Sequence, residues 1–334
     1  MRRLILLALA LGLAGATGGA LFVRSLLAPV AEPGAASEIF VVERGASLGR
    51  VAWQLEQQGL IRDGRAFRWW AHWRGDASRL KAGEYGLDPG LGSDEILSRL
   101  TRGQVMTHEV VIPEGTRASE IAARLESRGL ATAEAFLAAA TDPALADELG
   151  VPGDTLEGYL YPETYRLPRG LAPREIARAM VAQFRQAWSE VEPRAVERGM
   201  SMHDVVTLAS IVEKETAAPE ERPLIAAVFL NRLDRGMRLE TDPTVIYGIP
   251  DFDGNLKKRH LLDDGNPYNT YRHAGLPPGP IASPGADALR AVVSPAESDY
   301  LFFVSRNDGT HKFSRTHREH VNAVNRYQKR RRSK

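Results

Sequence analysis

The chain is 334 residues long, with a formal net charge of +1, 43% hydrophobic and 25% charged residues, and no cysteine. That composition excludes a disordered, collagen-like or coiled-coil chain, and the length allows about two domains. Zero cysteine excludes a disulfide framework, a thiolate metal site, a cysteine nucleophile and a lipidated N-terminal cysteine, and near-neutral charge gives no pull toward nucleic acid.

The first element is Leu4 to Val23, which contains no charged residue and has about the 20 positions a helix needs to cross a bilayer. Arg2 and Arg3 precede it, which favours a cytoplasmic N-terminus; Arg24 is a mild counter-signal. Ala14-Gly15-Ala16 also resembles a signal-peptide cut site, but the apolar run is longer than a usual signal core. A retained anchor over 1–24 is the favoured reading, and either reading sends the remainder across the membrane. Residues 25–37, with two prolines, a glycine and small residues, read as a linker.

Two similar stretches follow, FVVERGASLGRVAWQLEQQGLIRDGRAF and VVIPEGTRASEIAARLESRGLATAEAF. At an offset of 70, Gly45 matches Gly115, Val51 matches Ile121, Ala52 matches Ala122, Leu55 matches Leu125 and Gly59 matches Gly129, while Phe67 matches Phe136 with one residue of slippage. This is an internal repeat of a strand, a glycine turn and an amphipathic helix, with Leu48, Val51, Ala52 and Leu55 at i, i+3, i+4, i+7. The first copy continues through a strand at Gly83 to Leu87 and a helix at Ser93 to Leu100. Its β-α-α-β order resembles LysM-like modules, which bind glycans; a small α+β adaptor is the plain alternative. Trp53, Trp69, Trp70 and Trp73 cluster here; exposed, they could stack on sugar rings, but Trp69 and Trp73, at i and i+4, read as a core stripe. The expected divisions are 38–107 for the LysM-like domain and 108–150 for the second repeat-related unit.

From about residue 151 to 325 the texture changes to Gly-, Pro-, Asn-, Thr- and Tyr-rich runs between helices, where function concentrates. LEGYLYPETY places Glu157 beside a series of tyrosines. A helix opens at Ser201 with a capping pattern and carries Val205, Leu208, Ala209 and Val212 as its apolar stripe. At about 100° per residue, Glu213 and Glu215 lie on opposite shoulders of that stripe. Leu208, Ile211, Val212 and Glu215 also run i, i+3, i+4, i+7, so Glu215 could extend a buried face, where desolvation raises a carboxyl pKa toward what a general acid requires. Two solvated residues at a helix end are the alternative, although acidic groups there oppose the helix dipole. A further helix spans Pro223 to Arg235. Rigid turns at Asp242-Pro243, Pro277-Pro278-Gly279 and Ser283-Pro284-Gly285 then present Thr241, Asp242, Tyr247, Tyr268, Asn269, Thr270 and Tyr271. There is no G-x-S-x-G and no H-E-x-x-H; His311, His317 and His320 are loosely spaced and read as surface histidines. The C-terminal 326–334 reads as a solvated basic tail.

The ordered strings LEGYLYPETY, ASIVEKET, VFLNRL, LETDPTVIYG, YNTY, GLPPGPIASPG and DGTHKFSRTHREH resemble the endolytic murein transglycosylase (YceG-like) family over about residues 155 to 320. The resemblance implies an α+β chain with an N-terminal membrane helix, small LysM-like α+β units and an α+β catalytic domain. It maps the catalytic acid, which precedes a Ser or Thr, onto Glu215, with Glu213 as fallback, and makes Glu157, Asp242, Tyr268 and Asn269 candidates for substrate positioning. It implies non-hydrolytic cleavage of MurNAc–GlcNAc β-1,4 bonds in nascent peptidoglycan strands with 1,6-anhydroMurNAc formation, terminating glycan elongation. No metal and no cofactor are expected, cell-wall synthases become candidate partners, and the expected location is the inner membrane, single-pass, with the catalytic domain periplasmic. The alternatives are a non-catalytic peptidoglycan-binding envelope protein and a lysozyme-like muramidase.

Overall fold

A computed structural model describes residues 13, 15, 17–216 and 218–329. Most of the expected anchor lies outside them; its described positions, 13, 15 and 17–24, are helical, and that helix continues to 26. No helix among the described residues is long and apolar enough to cross a membrane. Most of the expected basic tail also falls outside; residues 325–329 close a π-helical turn.

The described chain is α+β, with its strands in three two-stranded sheets rather than one large sheet. Two units divide it. The first takes the described residues up to His108 together with Arg166–Gly170, and the second takes Glu109–Tyr165 and the described chain from Leu171 onward.

In the first unit, β1 (Glu38–Val42) and β2 (Gly83–Leu87) pair antiparallel, with Phe40 opposite Tyr85. Between them run α1 (Leu48–Gln57) and α2 (Gly64–Trp73), and α3 (Ser93–Arg102) follows. The β-α-α-β order is as expected. Ser47 and Asp63 cap α1 and α2 by accepting bonds from Arg50 and Ala66 N–H. Phe40, Leu55, Phe67, Tyr85, Ile96 and Leu100 join one core. The reading of Trp69 and Trp73 as a core stripe is corrected: they are 52% and 67% exposed. Phe67 and Ala71 occupy the inward face of α2 and turn these tryptophans outward.

The repeat is visible in the backbone. β3 (His108–Val111), α4 (Ala118–Ser127) and α5 (Ala133–Ala140) reproduce β1, α1 and α2. The inward residues Ala118, Ile121, Ala122 and Leu125 stand where Leu48, Val51, Ala52 and Leu55 stand. Gly59 and Gly129 follow the two helices with φ of 66° and 63°, the left-handed geometry that lets a glycine close a helix. After α6 (Pro143–Glu148), β4 (Thr164–Leu167) joins the sheet of β3, and the division between the two units runs through both strands.

The rest of the second unit is built around α8 (Met202–Glu215). It packs with α7 (Pro173–Glu197), α9 (Arg222–Asp234), α10 (Asp242–Tyr247) and, past the short α11 (Lys258–Leu261), α12 (Ala286–Val293). β5 (Phe302–Ser305) and β6 (His311–Ser314) form an antiparallel hairpin followed by α13 (His317–Val324).

Candidate active site

α8 begins at a full capping box: Ser201 Oγ accepts from Asp204 N–H, and the Asp204 carboxylate bonds back to Ser201. The helix is buried on all sides, since every residue from Val205 to Val212 is inaccessible. In the last turn Lys214 reaches solvent, while Glu213 and Glu215, on either side of it, turn into protein surroundings.

Glu213 is neutralised. Arg222 Nη2 donates to its Oε1 at 2.8 Å, with the two side chains 5% and 8% exposed, and Gly285 N–H donates to its Oε2 at 3.0 Å. Arg222 also reaches Glu114 at 3.4 Å. Burial, followed by the charge of Glu213, raises the Glu114 pKa. Glu213, Glu114 and, at 3.7 Å, Asp287 thus share one guanidinium.

Among the described residues, Glu215 has no cationic partner in hydrogen-bond contact. Thr241 Oγ1 donates to its Oε1. Burial pushes its pKa up to about 7; the nearby charge of Asp242 adds to the rise, and the Thr241 bond and His311 oppose it. The carboxyl forms part of the wall of a cavity of about 480 Å³, with Thr241, Asp242, Tyr271, Phe302 and His311 among its neighbours.

The segment carrying Thr241 is held firmly. Glu240 has φ of 52°, a left-handed conformation unfavourable for a residue with a Cβ. The buried Arg232 secures it, donating to the carbonyls of Arg238 and Leu239 at 3.0 and 2.9 Å and to Glu240 Oε2 at 3.2 Å. Thr241 N–H donates to Thr270 Oγ1, and Thr244 Oγ1 donates to Thr241 C=O. Asp242-Pro243 opens α10 at its first turn, a position where proline is pre-organised for a helix. Tyr271 O–H donates to Asp242 at 2.8 Å. Across the cavity, Glu221 accepts from His311 N–H at 2.8 Å and bonds its Nδ1 at 2.6 Å.

Of the residues expected from sequence, Glu215 and Asp242 meet in this cavity. Glu157 and Tyr268 gather instead around Tyr247, at the other end of α10. A helix of that length spans about 9 Å. Glu157 is buried, and its two oxygens accept from Ala118 N–H at the start of α4 and from Tyr247 O–H. Burial raises its pKa to about 7. The Tyr247 and Tyr268 rings lie 4.7 Å apart, and the Arg117 guanidinium sits 5.1 Å from the Tyr247 ring. Asn269 is fully buried and its amide is committed: Nδ2 donates to the carbonyls of His260, Leu261 and Asp263, and Oδ1 accepts from Tyr271 N–H.

The reading of the histidines as surface residues is corrected for two of them. His311 and His320 are half-buried and line the cavity, while His317 is exposed. The β5–β6 hairpin carries His311 inward, a consequence of tertiary packing that spacing does not encode. Arg232 stands within the VFLNRL string, which gives it no role, and Phe302 escaped the sequence reading altogether. Among the described residues, no group of three or more His, Asp or Glu is placed to hold a metal ion.

The YceG-like family model matches residues 40–326. The chain is 32% identical over 330 residues to the endolytic murein transglycosylase of Bacillus subtilis (strain 168), covering 93% of this chain and 90% of that protein. It is 30% identical over 294 residues to the endolytic murein transglycosylase of Streptococcus pneumoniae (strain D39), covering 79% of this chain and 53% of that longer protein. A 2.6 Å crystal structure of a yceG-like protein from Listeria monocytogenes aligns with a TM-score of 0.60 at 31% identity, covering 86% of this chain and 98% of that one.

Proposed function

This chain belongs to the YceG-like family, and on that premise we propose that it is an endolytic murein transglycosylase whose general acid is Glu215. One observation carries the assignment: a carboxyl raised to about 7 in the wall of an open cavity. At neutral pH such a group holds its proton in much of the population, as acid catalysis requires.

The substrate is a peptidoglycan strand, and the bond cleaved is the MurNAc–GlcNAc β-1,4 linkage. Thr241 occupies Oε1 of Glu215, which leaves Oε2 to carry the proton. That proton passes to the glycosidic oxygen as the C1–O bond breaks and oxocarbenium character develops at C1. The carboxylate so formed takes the proton from the C6 hydroxyl of the same MurNAc, and that oxygen bonds to C1. The products are a 1,6-anhydroMurNAc end and a GlcNAc 4-hydroxyl; no water is consumed and Glu215 ends protonated. An internal nucleophile makes a second protein carboxylate unnecessary. Asp242 and Tyr271, bonded to each other beside the acid, hold the sugar and place negative charge near the developing cation. Glu157 and Tyr268 belong to a second saccharide contact around Tyr247, whereas Asn269 shapes the loop that presents Tyr271.

In this reading the apolar run Leu4 to Val23 anchors the chain in the inner membrane, with the catalytic unit on the periplasmic side. Its cuts terminate strands as they are made, so cell-wall synthases are the partners to seek. The test is product analysis of the purified chain incubated with peptidoglycan. Anhydro-muropeptide ends detected by mass spectrometry support the reading. Reducing ends would establish a muramidase instead, and an absence of products with retained binding would establish a binding protein.

A further inference from the structure

Residues 27–34 have the composition of a linker, yet they are stitched onto the first unit. Ser93 N–H donates to Leu27 C=O, and the N–H groups of Val30 and Ala31 both donate to Pro89 C=O at 2.9 and 3.0 Å. Arg62 donates to the carbonyls of Ala28 and Pro29, and Gly34 N–H donates to Asp88 at 3.2 Å. At Gly90 this segment comes so close that an added Cβ would lie 2.6 Å from Glu32 C=O. The exit of the apolar run is therefore fixed against this unit rather than swinging on a tether.

The fixed exit lies beside the outward face of α2. A cavity of about 830 Å³ is walled on one side by Ala20, Val23 and Leu27 and on the other by Trp69, Trp70 and Trp73 with Asp94, whose carboxylate accepts from Trp70 Nε1 and is paired with Arg74. Trp70 and Trp73 stack with ring centroids 4.8 Å apart. Ala20 and Val23 belong to the final turn of the charge-free run, so the tryptophans stand at the depth where that run ends. α2 contains no acidic residue, and Arg65, Arg68 and His72 are exposed along the shoulder next to Trp69 and Trp73. Aromatic rings at the end of a spanning segment, flanked by cations, match the headgroup layer in both polarity and charge.

We propose that the outward face of α2, with Trp69 and Trp73 at its centre, rests in the headgroup layer of an anionic bilayer and sets the height of the first unit above the membrane. This rests on the anchoring half of the proposed function and is independent of the chemistry. The test reconstitutes the full chain in phosphatidylcholine–phosphatidylglycerol vesicles whose acyl chains are brominated, and reads tryptophan emission. No tryptophan precedes Trp53, so the anchor itself contributes no signal. The expected result is quenching by brominated but not ordinary lipid, with the larger part of it lost in a Trp69→Phe/Trp73→Phe variant. A chain that fails to float with the vesicles overturns the anchoring reading and this proposal together. A chain that floats with these tryptophans unquenched overturns this proposal alone, as does emission that responds to added soluble glycan strands and not to brominated lipid. Product analysis is unaffected by any of these results, so the transglycosylase reading stands or falls separately.

Discussion

The two sides of the α8 C-terminus differ in what meets a buried carboxylate. On one side Glu213 has a guanidinium at 2.8 Å and a backbone N–H; on the other Glu215 has a threonine hydroxyl and a cavity. The residues are two apart on one helix, and both are largely enclosed. Burial alone therefore does not make an acid. The buried carboxylate with a cation is tied into an ion pair that serves the fold, whereas burial without such a partner raises the Glu215 pKa.

The largest effect is expected at Glu215. Glu215→Gln should lower turnover by about 10²–10⁴-fold, the usual range for loss of a general acid, measured as anhydro-muropeptide yield. The same variant should not lose stability at alkaline pH. Because the folded state holds the Glu215 proton more tightly than the unfolded state, wild-type stability falls as pH rises from about 4.5 to about 7 and levels off above. Glutamine removes the Glu215 share of that fall, while Glu157, shifted the same way, keeps its own. Full activity in Glu215→Gln would reverse the assignment of the two sides.

Glu213 should respond in the opposite sense. Glu213→Gln leaves Arg222 buried with only the more distant and more exposed Glu114 and Asp287, and breaking a buried pair from one side costs about 3–5 kcal/mol. Denaturant unfolding should show that loss, while turnover per folded molecule is retained. Glu213→Gln combined with Arg222→Met should recover part of it, since no unpaired charge remains. A variant that is stable but inactive would move the acid to Glu213.

This contrast was only half legible in the sequence. Ser201 announced the start of α8, and the i, i+3, i+4, i+7 run ending at Glu215 pointed inward, because both are local signals. The repeat was legible for the same reason: the inward positions of α1 and α4 are the same positions of one pattern. The identity of each partner was not local. Arg222 meets Glu114 from 108 residues away, and Gly285 meets Glu213 from 72 residues away. The outward turn of Trp69 and Trp73 and the inward turn of His311 depend on which neighbours fill the core. The helical stripe also misled about α8, for a helix enclosed on all sides has no polar face for its period to reveal.

A smaller effect should follow from the Thr241 hydrogen bond to Glu215. Thr241→Val keeps shape and volume but removes the hydroxyl that favours the ionised form. The Glu215 pKa should then rise. A hydrogen bond to a charged group contributes about 1.5 kcal/mol, which corresponds to about one pH unit. The decline of kcat/KM on the alkaline side, centred near 7 in the wild type, should move upward by that amount. An unmoved limb would mean that Glu215 does not set the pH profile, which would remove the cavity side of the comparison.

The smallest effect should come from Gly285→Ala, which probes how far the two sides are insulated. Gly285 has φ of −79°, so alanine meets no backbone strain. Its Cβ would fall 1.8 Å from Glu114 Oε1, but the Glu114 side chain is 47% exposed and can swing into water. Glu114 would then escape both its burial and the charge of Glu213, and its raised pKa should fall toward the ordinary glutamate range, read by NMR titration. Arg222 would belong more fully to Glu213. Since Gly285 also stands at the N-cap of α12, where glycine is preferred to alanine, a cost of about 1 kcal/mol or less is expected. Turnover and its alkaline limb should not change, because nothing in this rearrangement touches Thr241 or the cavity. A shifted limb would show that charge on the Arg222 side is felt at Glu215, so that the proton of the acid is tuned by both ends of the network and not by its own pocket alone.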